Sequence, residues 1–229
     1  MLIQKRPVRY HSAFDIIGPI MVGPSSSHTA GALRIARVAR ALLGDDPTQV
    51  DFQLMGSFAE TYRGHGTDSA LVAGMLGLAT DDRRLPDSLA LAHHMGLAFQ
   101  FTPSSGSLYH PNTVRVIEHS LTTQMEVVGS SLGGGKIEIV EIDGFPVRIS
   151  GDRAGIVLWH VDRPGFLADV LRVIAQDAMN ISRLSLERTQ RGGMALAAIE
   201  MDGRPSKDLL ARIESGSSDL LKSRWVEPV

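Results

Sequence analysis

The order of apolar and polar residues divides the first part of the chain into short helices and strands. Alternating side chains predict a strand over Val50–Met55, and apolar residues at helical spacing predict a helix from Thr29 to the stop at Gly44. A second helical pattern covers Thr67–Leu78, with small residues that permit close helix packing. Further strands are predicted over residues 97–101, 114–119, 123–129, 137–142 and 146–149. This mixture predicts an α/β unit.

Loops and helix starts are predicted from serines and glycines. Three serines are expected to cap helices that follow them, namely Ser12, Ser88 and Ser206. Gly56–Gly66 is predicted as a polar connection. Ser130–Gly135, with its three glycines, is predicted to interrupt the sheet.

The pattern after residue 154 differs from the one before it. A buried strand at Ile156–Val161 precedes an amphipathic helix over Phe166–Ala178. Ile181–Arg188 and Met194–Met201 alternate as a hairpin, and a helix over 209–213 and a strand near 225–226 complete the order βαββαβ. That order is typical of a ferredoxin-like fold. The fold class is therefore α/β (α+β), with domains 1–150 and 151–229 separated at residues 150–152.

Composition narrows the possible functions. The 229 residues include no cysteine, which excludes disulfides, thiolate nucleophiles and cysteine-held metal sites within this chain. A net charge of −2 gives no indication of a nucleic-acid or membrane-surface partner. Apolar runs fall far short of the ~20 residues of a membrane helix, and no signal peptide is evident. We therefore expect a cytoplasmic location and no membrane association.

The segment Gly18–Gly31, GPIMVGPSSSHTAG, carries the strongest chemical signal. Four hydroxyl side chains and a histidine immediately precede a predicted helix, namely Ser25, Ser26, Ser27, His28 and Thr29. Capping the helix needs one hydroxyl, so the surplus suits a carboxylate or phosphate held at the helix start. His28 could hold the anion or move a proton near neutral pH. The segment lacks the lysine of a Walker loop, and the chain has no GxSxG motif.

Several motifs together resemble a known family. GPSSSHTAG is joined by Gly64–Asp68 (GHGTD), His110–Thr113 (HPNT) and Ser130–Ile137. In combination they resemble the beta subunit, or beta domain, of the iron–sulfur-dependent bacterial L-serine dehydratases. The likeness covers most of residues 10–150.

This resemblance implies an enzyme that converts L-serine to pyruvate and ammonia. It also implies that a partner alpha subunit carries the cysteines and a [4Fe–4S] cluster, so this chain alone would bind no metal and be inactive. His28 is the expected catalytic residue, although a role as a simple hydrogen-bond donor stays open. The expected substrate-binding residues are Ser25, Ser26, Ser27, Thr29, His65, Thr67, Asn112 and Gly134. His93 and His94 are interpreted as packing or surface residues.

The C-terminal part resembles an ACT domain, a small module that binds amino acids. The likeness rests on Trp159–Leu167 (WHVDRPGFL) and Asn180–Ser182, and it spans roughly residues 154–229. It implies self-association side by side, with an amino acid bound between two copies. Association through surfaces of the N-terminal domain, alone or in addition, stays open. The expected effector-binding residues are Asp162, Arg163, Pro164 and Gly165 of one copy and Asn180 and Ile181 of the other. A module that only dimerises and binds nothing is the alternative.

Two other functions remain open from the sequence. One is a stand-alone amino-acid sensor without catalysis, because the first domain also resembles the allosteric substrate-binding domain of some phosphoglycerate dehydrogenases. The other is a Ser/His hydrolase, which is less well supported because no acidic partner or oxyanion motif is evident.

Overall fold

The computed structural model describes residues 19–104 and 110–229, and the helix predicted after Ser12 lies outside them. The first part contains the strands β1 (Gln49–Gly56), β2 (Ala98–Ser104), β3 (Asn112–His119), β4 (Gln124–Gly133), β5 (Lys136–Ile142) and β6 (Phe145–Ile149). Its helices are α1 (Ala32–Leu43), α2 (Ser57–Thr61), α3 (Thr67–Met75) and α4 (Ser88–His94). A π-helical turn at Ser26–Gly31 leads into α1, and a 3₁₀ turn at Leu85–Asp87 precedes α4. The predicted α/β fold class is confirmed.

The first sheet has the strand order β2-β1-β3-β4-β5-β6. β1 and β2 are parallel, which requires a long crossover, and α2, α3 and α4 supply it. Helix α1 packs on this sheet through side chains such as Leu33 and Ile35, which are fully buried. At Gly74 of α3, a Cβ would lie 2.4 Å from the Leu33 carbonyl oxygen. The glycine therefore permits the close approach of α1 and α3 that the small residues predicted.

The second part follows the predicted order βαββαβ. Its elements are β7 (Ala154–Val161), α5 (Phe166–Gln176), β8 (Asn180–Arg188), β9 (Met194–Asp202), α6 (Leu209–Gly216) and β10 (Leu220–Val226). The strands form an antiparallel sheet in the order β10-β7-β9-β8. This is the ferredoxin-like arrangement. The helices α5 and α6 pack with one face of this sheet around Ile156, Phe166 and Ile213.

The two sheets share one apolar core. Val157, Trp159 and Leu196 of the second sheet belong to the same buried cluster as α1. The segment between the sheets is also anchored, because the Ser150 backbone N–H and hydroxyl both donate to the Glu200 carboxylate, at 2.8 and 2.7 Å. The predicted boundary is therefore a tight connection rather than a loose linker.

Helix α1 is attached to the C-terminal part at both ends. In its first turn, the Arg34 guanidinium donates to the Val229 carbonyl at 2.8 Å and pairs with Asp152 at 2.6 Å. At its C-terminal end, Arg224 of β10 donates to the carbonyls of Leu42 and Leu43, at 2.9 and 3.0 Å. These bonds satisfy helix carbonyls that have no partner within α1.

Four local predictions are wrong. The sheet is not interrupted at Ser130, because β4 pairs with β3 and β5 and continues to Gly133. The connection after Gly56 contains the short helix α2. Ser88 does not cap α4, since its hydroxyl donates to the Ser69 carbonyl. Ser206 does not cap α6 either: its hydroxyl donates to Asp177, and Asp208 precedes the helix.

Glu118 is a buried carboxyl group of the first sheet. It lies on β3 with no exposed surface, and neither carboxyl oxygen has a hydrogen-bond partner among the described residues. Burial raises the pKa of this carboxyl to about 8, although the positive charges of Arg40 and Lys222 act in the opposite direction. Glu118 is therefore protonated at neutral pH.

Within residues 19–104 and 110–229, no helix combines the length and apolar character needed to cross a bilayer.

Candidate functional site

The turn at Ser26–Gly31 presents the histidine of the SSSHT segment. Ser25 precedes it in an extended conformation, and its hydroxyl accepts the His28 backbone N–H at 3.1 Å. The Ser25 carbonyl accepts N–H groups from Thr29 at 2.8 Å and Ala30 at 3.4 Å. One hydroxyl thus caps the turn, as predicted. The wider π-helical turn is a geometry often found at functional sites.

Both ring nitrogens of His28 lie beside hydroxyl groups. Nδ1 is 3.2 Å from Ser27 Oγ and 3.5 Å from Ser25 Oγ. Nε2 is 3.1 Å from Ser57 Oγ, the first residue of α2. The ring packs against the edge of Phe58, with centroids 5.3 Å apart, and beside the His65 ring at 4.9 Å. Hydroxyl groups therefore lie at both ring nitrogens, and two further rings pack beside the imidazole.

The surroundings favour the neutral form of His28. Burial lowers the pKa of the ring below its ordinary value, and repulsion from His65 lowers it further. The side chain is only partly buried, so it is open to a ligand. A neutral imidazole at neutral pH can accept a proton.

Thr29 connects this turn to the loop that carries His65. Its hydroxyl donates to the His65 carbonyl at 3.1 Å, and the side chain is 1% exposed. That hydroxyl is therefore engaged with the backbone, while the His65 side chain is exposed. Thr67 begins α3 just beyond, and its buried hydroxyl has no partner among the described residues.

Asn112 lies beside the start of α2. It opposes Gly56 in the β1–β3 register, and the neighbouring Pro111 carbonyl accepts the Ser57 backbone N–H at 2.8 Å. Gly56 has φ +56°, and a Cβ there would lie 2.4 Å from Pro111 O. Glycine is required here by both the backbone angle and the close approach.

The end of β4 and the following hairpin lie behind the turn. A Cβ at Gly31 would be 2.1 Å from Ser131 Oγ, so glycine allows the turn to pack directly on β4. The Ser131 hydroxyl is buried without a partner among the described residues. Gly134 lies in the β4–β5 hairpin at φ +61°, and a Cβ on the adjacent Gly135 would be 3.9 Å from Ala30 Cβ.

The structure thus brings together most of the predicted residues of the first part. The contacts above connect His28 directly to Ser25, Ser27 and His65, and Thr29 to His65. Ser26 opens the π-helical turn and is partly exposed. Ser57 was missed by the sequence reasoning, although a serine directly after a glycine at the end of a predicted strand was a visible signal.

The predicted effector residues of the second part are engaged mostly within the chain. The Asp162 carboxylate accepts from Arg188 at 2.7 Å and from the Gly192 N–H at 3.1 Å. Arg163 pairs with Asp169 and Asp219.

The other predicted effector residues lie at strand and helix ends. Asn180 begins β8, and its amide donates to Asp202 at 3.1 Å. Ile181 packs with the helices of the second sheet. Pro164 is exposed, and Gly165 precedes α5 at φ +91°. Among the predicted effector residues, Pro164 and Gly165 therefore have the backbone that is most accessible to a ligand.

The donor set of this chain does not fit an iron–sulfur cluster. Such clusters are held by cysteine thiolates, and the sequence has none. In the parts of the chain that the structure describes, no group of three or more His, Asp or Glu side chains is placed to hold a metal ion.

Comparison with known proteins places the chain in a family. Residues 12–141 match the family "Serine dehydratase beta chain". The chain is 44% identical over 195 residues to the "Probable L-serine dehydratase, beta chain" of Bacillus subtilis, covering 85% of this chain and 89% of that protein. It is 39% identical over 219 residues to the "L-serine dehydratase, beta chain" of Peptoniphilus asaccharolyticus, covering 95% and 98%.

Among solved structures, the ACT domain from GTP pyrophosphokinase of Chlorobium tepidum is similar to 31% of this chain, over 94% of its own length, at 17% identity and a TM-score of 0.26. The sequence relatives match at 39–44% identity over nearly their whole length. The chain belongs to the serine dehydratase beta chain family.

Proposed function

We propose that this chain is the beta subunit of an L-serine dehydratase, which converts L-serine to pyruvate and ammonia together with an alpha subunit in the cytoplasm. The observation that carries the proposal is the partly exposed His28, whose ring nitrogens lie 3.1–3.5 Å from three serine hydroxyls. Family membership supports the reaction. Because this chain has no cluster ligands, the [4Fe–4S] group of the proposal belongs to the alpha subunit.

The residues of the turn suit the two ends of the substrate. The Ser25, Ser26 and Ser27 hydroxyls would hold the carboxylate of L-serine at a helix start, where the helix dipole favours an anion. Neutral His28 would accept the proton from the α-carbon. Loss of that proton and of the β-hydroxyl leaves an enamine, whose imine form hydrolyses to pyruvate and ammonia.

The remaining predicted residues would form the walls of the same site. The His65 loop is coupled to the turn by the hydrogen bond from Thr29 to the His65 carbonyl, and Asn112 lies beside the start of α2. Thr67 lies at the start of α3, and Gly134 lies in the β4–β5 hairpin. We assign residues 1–150 to this substrate-binding domain and residues 151–229 to an ACT domain.

Reconstitution with the alpha chain tests this function. Co-expression with the cysteine-containing alpha chain under anaerobic conditions should give a complex that forms pyruvate from L-serine. This chain alone should form none, because it lacks the cluster. Pyruvate is measured by reduction with lactate dehydrogenase. Equal activity of the alpha chain with and without this chain would contradict the proposal.

The second sheet is proposed to bind an amino acid and to pair with a second copy. Its edge strand β8 carries Leu184 and Leu186, which are 38% and 40% exposed, and no further strand of the described residues pairs with that edge. An unpaired edge with apolar side chains is suited to strand pairing between copies. Amino acid would then lie between Pro164–Gly165 of one copy and Asn180–Ile181 of the other.

Calorimetry on the full chain tests this effector site. L-serine and other amino acids should release or absorb heat on binding, and Asn180→Ala should weaken that binding about tenfold, as expected from the loss of one hydrogen bond. His28→Ala serves as the matched control, because it alters the first site: binding that persists in this variant and weakens in Asn180→Ala belongs to the effector site. Absence of binding up to millimolar ligand would refute the effector site and leave a module that only dimerises.

The alternative of a stand-alone amino-acid sensor is distinguished by the same two experiments. A sensor would bind an amino acid in the calorimeter but would form no pyruvate in any complex.

A further inference from the structure

We propose that Ser57 is a positioning residue that holds the proton of His28 on Nε2 and leaves Nδ1 free to accept the proton of the substrate. The inference rests on the proposed function and adds a residue to it. Its basis is the 3.1 Å contact between Ser57 Oγ and His28 Nε2, from a different element than the turn that carries the histidine.

The position of Ser57 does not depend on its hydroxyl. Its backbone N–H donates to the Pro111 carbonyl at 2.8 Å, and its carbonyl accepts the Thr61 hydroxyl at 2.7 Å. Gly56 before it takes a backbone conformation with φ +56°, against Pro111 O. The backbone bonds of Ser57 therefore hold its hydroxyl beside His28. These bonds do not depend on the contact between the hydroxyl and the ring.

One direction of donation fits all the hydrogen bonds around the ring. Ser25 Oγ accepts the His28 backbone N–H, so its own proton is available to Ser27 Oγ at 3.3 Å or to Nδ1 at 3.5 Å. Ser27, 3.2 Å from Nδ1, can then donate to that nitrogen. With Nδ1 accepting, the ring proton lies on Nε2 and is donated to Ser57 Oγ.

This arrangement gives each nitrogen a separate task. Nδ1 lies on the side of Ser25 and Ser27, where the substrate carboxylate is proposed to bind. When those hydroxyls donate to the carboxylate instead, the lone pair of Nδ1 becomes available to accept the proton of the neighbouring α-carbon. Ser57 continues to accept the Nε2 proton and thereby orients the ring and stabilises the cation formed.

Two rings lie beside the His28 imidazole. Phe58 packs at its edge, and His65 is the titratable side chain in contact with it among the described residues. A serine hydroxyl orients the imidazole while favouring its charged form much less than a carboxylate would. Ser57 can therefore fix the tautomer while leaving His28 neutral.

Two substitutions test this role in the reconstituted complex. Ser57→Ala should lower kcat about 10–100-fold, by analogy with the loss of a partner that orients a metal-ligating histidine. The KM for L-serine should change little, because the carboxylate contacts remain. Ser57→Thr keeps the hydroxyl and should restore most of the activity. Ser215→Ala, at an exposed serine of α6, is the matched control.

Nitrogen NMR of the His28 ring supplies a readout that does not depend on turnover. The wild-type chain should show a single neutral tautomer with the proton on Nε2, and Ser57→Ala should show a mixture of the two tautomers. Wild-type kcat and an unchanged tautomer in Ser57→Ala would overturn the inference, even if the complex forms pyruvate. If no complex forms pyruvate, the proposed function fails, and the tautomer alone decides whether Ser57 positions His28.

Discussion

Replacing His28 with alanine is expected to lower kcat/KM for L-serine by about 10²–10⁴-fold in the reconstituted complex, the range typical of a lost general base. The loss should lie mainly in kcat, because Ser25, Ser26 and Ser27 still offer hydroxyls to the carboxylate. Steady-state pyruvate formation measures both constants. A double replacement of Ser26 and His28 should lower kcat/KM further through weaker substrate binding.

His94→Ala is the matched control for this experiment, because His94 is exposed at the end of α4. It should leave both constants unchanged. Wild-type kcat/KM in the Ser26/His28 double variant would exclude the turn from the active site altogether.

The pH dependence of kcat/KM offers a second test of His28. Burial and the neighbouring His65 both lower the pKa of this ring, so its neutral form persists to lower pH than that of an ordinary histidine. The acid limb of the profile should therefore lie below pH 6.5, the ordinary value. His65→Ala removes the repelling charge and should move that limb upward, although burial remains the larger cause.

Glu118→Gln is expected to stabilise the protein at pH 8 by a few kcal/mol relative to wild type. The carboxyl has a pKa of about 8 in the folded chain and an ordinary value of 4.5. Between these values the folded state holds a proton that the unfolded state has released. Stability of the wild type should therefore be fully present below pH 4.5 and fall as the pH rises toward 8.

Glutamine has nearly the shape of the protonated glutamate and does not titrate. Urea unfolding at several pH values between 5 and 8.5 should thus show a decline for the wild type that is reduced in the variant. Glu60→Gln, at an exposed position of α2, controls for the change in net charge. Parallel curves for wild type and Glu118→Gln would show that Glu118 is ionised in the folded chain.

Regular elements were predictable wherever the apolar pattern was long enough. The alternation at Val50–Met55 became β1, and the order βαββαβ of the second part is confirmed. Helix α2 was missed because its five residues are too short to show helical periodicity. The end of β4 was missed because pairing with strands on both sides outweighs the flexibility of its glycine.

The motifs of the candidate site were predictable from the sequence, and the contacts that join these motifs were not. The SSSHT segment and the GHGTD loop were recognisable as motifs, and Thr29 links the two through the His65 carbonyl. The use of the Thr29 hydroxyl by the backbone, and the contact of Ser57 with His28, depend on where distant segments meet. Such contacts between residues 29 positions apart leave no periodic trace in a single sequence. The roles of these residues stay predictions.

The attachment of α1 at both ends has a consequence for how this chain can be divided or recombined. The helix begins directly after the turn with His28, while Arg34 and Arg224 tie its two ends to the C-terminal part. A break near residue 150 would leave helix carbonyls uncapped and open the core around Trp159. The C-terminal part therefore cannot be exchanged as an independent unit. An exchange between relatives would have to preserve these two arginines and the surface they contact.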